Sequence, residues 1–258
     1  RWVNGTASAD GPSRRSWGIL LDATDTIATG NVDWAPALAS SRSRCAPADV
    51  ASPEGLGCSV EDFAAVTTAL DWAKGSLGLP EPRSGRQAPV CPFIPRSVGS
   101  RLLYVECRPE ERCDDPSLVS AIHDSKRSFF DLLGQAPKAK KRLVTNLIVL
   151  PRIDRSSSAD LDLLHAALKD EFVESGLMIG QFHPMCDAPG WRNPRSRPLR
   201  SPVPLFAIRK MIPSDLPFLA MNARHTSAYF ERFATSIPAQ TRKFLVDRLT
   251  TLSVDDAS

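Results

Sequence analysis

Leu143-Val144-Thr145-Asn146-Leu147-Ile148-Val149-Leu150 is the stretch on which the fold turns. It is apolar at both odd and even positions. An edge strand, or a strand wet on one face, alternates apolar with polar instead. The run therefore predicts a central strand.

Reading backwards, residues 138–142 (KAKKR) form a basic turn. Asp115-Pro116 pairs an N-cap with a first-turn proline, and the helix after it places Leu118, Ile122, Phe129 and Leu133 near one stripe. Residues 101–107 (RLLYVEC) read as a strand, and 78–100, rich in Pro and Gly, as an extended loop. Ser59 can cap a helix to about Lys74, with Phe63, Val66 and Leu70 on one face. Reading forwards, Ser158 caps a helix whose buried face is Leu161, Leu164, Leu168 and Phe172, and Gly176 ends it. Residues 177–182 are the next strand, a Pro/Arg-rich loop follows, and 203–211 is a further strand. Ser214-Asp215 start a helical tail that runs, with breaks, to about Leu249.

Strands separated by helices and short connections predict an α+β fold: a mixed β-sheet of about four or more strands flanked by helices. Residues 58–258 are expected to form a single domain. Residues 1–57, rich in Ser, Ala, Gly, Asp and Pro, are expected to be a flexible or loosely packed, irregular N-terminal arm.

Composition is that of an ordinary globular chain, with 42% hydrophobic and 24% charged residues. A net charge of +3 is too mild to argue for a nucleic-acid partner, which the overall balance makes unlikely. Six Cys without a CxxC pair suggest reduced thiols rather than a disulfide frame or a zinc knuckle. No apolar stretch approaches the roughly 20 residues needed to span a bilayer, and no signal-peptide core follows Arg14 and Arg15. Cytoplasmic residence without a membrane partner is expected.

The chemistry-bearing residues gather in two places. One is Val90-Cys91-Pro92-Phe93, where flanking prolines and apolar neighbours favour a structural thiol. The other is the segment after Gly180-Gln181-Phe182-His183-Pro184. His183 stands where a strand ends, and Pro184 marks the exit. Ligands of open α/β sheets collect beyond strand ends, where an imidazole can bind a metal, act as a base or hold a loop. Cys186 follows by three residues, a His-x-x-Cys spacing able to ligate metal. Between 192 and 210 lie Arg192, Arg195, Arg197, Arg200, Arg209 and Lys210, with no Asp or Glu and prolines at 194, 198, 202 and 204. Such cations need anions, so either an anionic ligand or scattered acidic residues must face them. His123 and His165 read as surface groups, and His225 as a second polar group for a pocket.

These segments resemble the YqcI/YcgG-like family. The resemblance rests on Cys91-Pro92-Phe93, on 143–150, on the Gly-x-x-His-Pro run 180–184 and on the loop and strand of 195–208. It covers roughly 85–235 and leaves out the arm. This chain carries a longer insertion at 185–200 than that family has after its His-Pro. Characterised members look like haem-dependent oxygenases that place oxygen on the nitrogen of amino-acid-derived substrates. The resemblance thus implies a b-type haem (haem b), His183 as its axial, metal-binding ligand, and Phe93, Phe182, Phe206 and Met211 as walls of a slot. Arg195, Arg197, Arg200 or Arg209 would meet the propionates or the carboxylate of a small-molecule substrate. It further implies an oxidoreductase of the monooxygenase type, serving biosynthesis, with a redox partner. The other reading of the same residues is a non-catalytic binding module for an anionic ligand or a protein partner.

Overall fold

The computed structural model describes residues 45–80, 88–190 and 193–237. Most of the expected arm, the side chains of Trp191 and Arg192, and the tail beyond 237 lie outside these residues.

Five strands form one mixed sheet: β1 (Ala46–Pro47), β2 (Leu103–Cys107), β3 (Thr145–Val149), β4 (Leu177–Phe182) and β5 (Leu205–Lys210). Their order is β1-β2-β3-β5-β4, so the apolar run at 143–150 supplies the middle strand. β2 and β3 are parallel, while β5 runs antiparallel to both β3 and β4. β3 and β4 therefore share a direction, with β5 inserted between them. The fold class is α+β.

Seven α-helices accompany the sheet among the described residues: α1 (Pro53–Leu56), α2 (Val60–Trp72), α3 (Ile94–Gly99), α4 (Pro116–Gln135), α5 (Asp160–Glu174), α6 (Leu216–Leu219) and α7 (Ala223–Phe233). Strand alternation explains how they are shared out. Ile148 and Phe206 face one way and pack with Leu118, Ile122 and Phe129 of α4 and Leu161, Leu164 and Phe172 of α5. Leu147, Val149 and Leu205 face the other way and pack with Val66, Ala69 and Leu70 of α2. A third cluster joins α6 and α7 around Tyr229.

The caps are read from the hydrogen bonds. Ser59 Oγ accepts from Asp62 N at 3.0 Å, and Asp115 Oδ1 from Ser117 N at 2.8 Å, as expected. Gly176 turns the chain from α5 into β4 with φ 78°, a conformation open to glycine at little strain. Ser158 differs: its hydroxyl donates back to the Arg155 carbonyl at 2.8 Å, and α5 begins at Asp160 without a side-chain cap. The loop expected at 78–100 contains α3, which accommodates Pro95 in its first turn, where no amide donor is needed. The described structure also begins ahead of residue 58. Ala46 pairs with Val105 on the sheet edge, and Leu56 is buried beneath α2, because its apolar side chain finds a place in that core. No helix among the described residues is long and apolar enough to cross a membrane.

One polar group interrupts the buried face of β2. Glu106 is 1% exposed and accepts from Arg108 NH2 at 2.7 Å, Ser125 Oγ of α4 at 2.7 Å and Asn146 Nδ2 of β3 at 2.6 Å. Cys45 adds a weak thiol bond to Asn146 Oδ1 at 3.6 Å. This network ties β2, β3 and α4 together where apolar packing alone would leave register free.

Candidate metal centre

β4 leaves the sheet after Phe182, and the next two positions point to opposite sides. Phe182 turns towards α2, its ring edge-on to Trp72 with centroids 5.4 Å apart. His183 turns towards α5, where its Nε2 lies 3.2 Å from Asp162 Oδ1. α5 begins at this end of the sheet because it follows β3, which runs parallel to β4. The first turn of α5 and the exit of β4 thus meet at the carboxyl ends of the parallel strands.

A tight turn brings a third donor in. Cys186 N donates to the His183 carbonyl at 3.1 Å, and His183 N donates to the Leu199 carbonyl at 3.2 Å. Asp162, His183 and Cys186 then offer one donor atom each, all within 4.8 Å of one another. A zinc-sized ion bound at about 2.0–2.3 Å holds its donors some 3–4 Å apart, so small side-chain movements close this set. His183 is fully buried, and its Nδ1 has no hydrogen-bond partner. Burial pushes the Cys186 thiol above the ordinary cysteine range, as a protonated sulfur without a cation requires. The Asp162 side chain is 48% exposed and opens the group to solvent.

Surrounding groups hold this set in place. Gln181 Nε2 donates to the same Asp162 oxygen at 2.8 Å, and Arg200 Nε to the Cys186 carbonyl at 2.9 Å. Arg200 and Arg197 also share Asp187 Oδ1, at 2.8 and 2.9 Å. The anion expected opposite these cations is thus a protein carboxylate from just outside the basic run. Arg195 is exposed in the same loop.

The Cys91-Pro92-Phe93 segment does not join this site. Phe93 packs under the guanidinium of Arg209 at 5.2 Å, and Arg209 makes two bonds to Asp215, at 2.7 and 2.6 Å. Along β5, Arg209 stands four residues from Leu205, the partner of Phe182. That is about 13 Å of strand. The residues expected around one cofactor therefore occupy opposite ends of the sheet. A haem does not fit them: Phe93, Phe182, Arg209 and His183 line no common slot, and His183 is enclosed by protein. His183 borders neither the hollow of about 400 Å³ at Glu110 and Asp115 nor the one of about 340 Å³ at Glu174 and Arg224.

The other histidines are structural. His165 is not a surface group, because α5 turns it onto β4, where Nε2 meets the Ile179 carbonyl at 3.0 Å. Burial, chiefly, lowers its pKa to about 4, with Lys169 and His225 adding to the lowering and Asp162 opposing it. The unfolded chain binds this proton near pH 6.5, the folded one only near 4. Stability from His165 is thus full above about pH 6.5 and falls as pH drops towards 4, by about 3 kcal/mol in all. His165→Gln should flatten that part of a stability-against-pH curve measured by urea melts; an unchanged slope would contradict the assignment. His225 binds Asp170 at 2.7 Å and, with Arg224 on Asp170 and Glu174, docks α7 on α5. His123 sits 3.3 Å from Glu171 and is part-exposed.

Asp162 is the site residue that the sequence reading missed. Its signal was topological: an acid in the first turn of a helix that begins at the end where the next parallel strand delivers a histidine.

Residues 66–244 match the family model described as Domain of unknown function (DUF6875). The chain belongs to that family. The match contains β2 to β5 and all three donors of the DUF6875 chain's candidate centre, and leaves β1 and α1 ahead of it. No curated protein and no solved structure matches the chain.

Proposed function

We propose that this chain is a mononuclear metalloprotein that holds a zinc-like divalent ion through Asp162, His183 and Cys186. The observation that carries the reading is the convergence of a buried imidazole, a buried thiol and a carboxylate, with one donor atom from each within 4.8 Å of the others. One sulfur, one nitrogen and one oxygen donor suit a borderline-soft ion. Three protein ligands leave a fourth position open, the ligand count of catalytic rather than structural zinc sites. Such an ion, when bound, supplies Lewis acidity to a water or carbonyl at that position.

The chain's own residues do the rest. Gln181 orients the Asp162 carboxylate, Arg200 fixes the backbone of Cys186, and the solvent side of Asp162 is the way in. Two guanidinium groups on one carboxylate leave an excess positive charge at the rim, which favours a small carboxylate-bearing substrate. A haem oxygenase reading draws no support from this geometry.

The test is metal uptake. Protein stripped with a chelator should take up one equivalent of Zn²⁺, or of Co²⁺ with a thiolate-to-cobalt absorption band. Cys186→Ser and Asp162→Asn should weaken binding by more than about 100-fold, beyond the 10–100-fold that outer partners are worth. Gln181→Ala should fall within that smaller range. Thermal melts of the variants separate lost binding from lost folding. No uptake by the wild type, or cobalt spectra unchanged in Cys186→Ser, overturns the reading.

A further inference from the structure

The end of the sheet opposite His183 carries an unusual charge. Here β2 and β3 begin and β5 ends, with Leu103 beside Thr145 and Thr145 beside Arg209. The turn at Lys138–Leu143 enters β3 from this side, and the Leu143 carbonyl accepts from Ser97 Oγ of α3 at 2.6 Å. That bond joins α3, which carries Arg96, to the turn that carries Lys138, Lys140, Lys141 and Arg142. Lys210, which pairs with Leu177, closes the same end. Arg96, Lys138, Lys140, Arg142 and Lys210 are exposed, and Lys141 is half-buried.

Among the described residues these six side chains have no carboxylate partner. The acids near them are already engaged, Asp49 by Arg101 and Asp215 by Arg209. Asp131, near the end of α4, is the carboxylate closest in sequence to the 138–142 turn. Balancing the α4 dipole would take a single cation and is worth only about 0.3–1 kcal/mol, so it does not account for the group.

We infer that this end of the sheet is a docking surface for the phosphate backbone of duplex nucleic acid, gripped without regard to base sequence. The magnitudes agree. Two strand spacings from β2 to β5 span about 10 Å, and the turn from 138 to 142 rises about 8 Å. Ten ångströms of duplex axis carry about six phosphate charges. The stretches that hold the cations, 94–101, 138–143 and 205–210, contain one aromatic, Phe206, and it is fully buried. Without a stacking surface single strands gain nothing from their bases, whereas backbone contacts remain. Within those stretches only Val98 is an exposed large apolar side chain, too little to anchor on lipid. The mild net charge of the whole chain hides this local density, which is what a polyanion meets.

This inference is independent of the metal centre, which lies at the other end. Its test is fluorescence anisotropy with short labelled duplexes of two unrelated sequences. Both should bind with similar affinity and lose about 1,000-fold between about 50 and 200 mM salt. The quadruple variant Lys138→Gln/Lys140→Gln/Lys141→Gln/Arg142→Gln, all at the surface turn, should keep the wild-type melting temperature. Its log–log salt slope should drop by about 3–4. Absence of binding at the lower salt, an unchanged slope in the variant, or preference for single strands or phosphatidylserine vesicles over duplex overturns it.

Discussion

Asp215→Ala should lower stability by about 3–5 kcal/mol, the loss that follows when a buried ion pair is left with one partner. For a chain of this size that is a fall in thermal midpoint of about 6–20 °C. The carboxylate is 3% exposed and both of its oxygens are bonded to Arg209. One of them also accepts from Ile212 N at 2.8 Å, holding the turn into α6. Truncation leaves the Arg209 guanidinium, only 22% exposed, over the Phe93 ring without its counter-charge. Arg209→Met/Asp215→Leu should recover much of the loss, since it removes both charges and leaves only the Ile212 amide unmet. Thermal unfolding followed by circular dichroism reads both variants. A wild-type midpoint in Asp215→Ala would mean that Arg209 is free to hold a ligand, as the sequence reading first placed it.

The second large effect is expected at Glu106. Glu106→Ala removes the acceptor for Asn146 of β3, Ser125 of α4 and Arg108 just past β2, and leaves Arg108, only 14% exposed, without its counter-charge. About 3–5 kcal/mol should be lost again. Glu106→Gln keeps the shape and one acceptor oxygen but turns a second group into a donor among donors. It should lose less, about 1–3 kcal/mol. Chemical denaturation gives the order directly: Gln between wild type and Ala supports a charged network, and Gln equal to wild type would show that only shape matters there. The network also bears on Cys45, whose thiol is pushed well up by burial and by the Glu106 carboxylate. Alkylation of Cys45 should therefore speed up in Glu106→Gln.

Both predictions concern charges that a sequence cannot place. Arg209 and Arg200 belong to one cationic run, 192–210, with no acid inside it to mark a partner for either. The structure gives them different neighbours: Arg209 sits on β5 with a buried acid six residues on, and Arg200 sits in the loop against a metal-donor backbone. Glu106 passes for a polar, solvent-facing position of the strand RLLYVEC until α4 and Asn146 of β3 are seen to bond it. His165 and His183 likewise differ only in what α5 and β4 bring to them.

What the sequence determined alone is the local and one-dimensional part. Residues 143–150, apolar on both faces, could only be central, and 177–182 and the helix ahead of Gly176 follow from periodicity and a glycine stop. Those signals are carried by neighbours in the chain, where propensity and burial period act directly. The tertiary structure decided the strand order, with β5 between β3 and β4, and with it which residues meet. That insertion puts Cys91-Pro92-Phe93 and His183 at opposite ends of the sheet and brings Asp162 to the histidine in their place. Pairing between distant strands is chosen by the fit of whole faces, an energy spread over many residues that no single motif records.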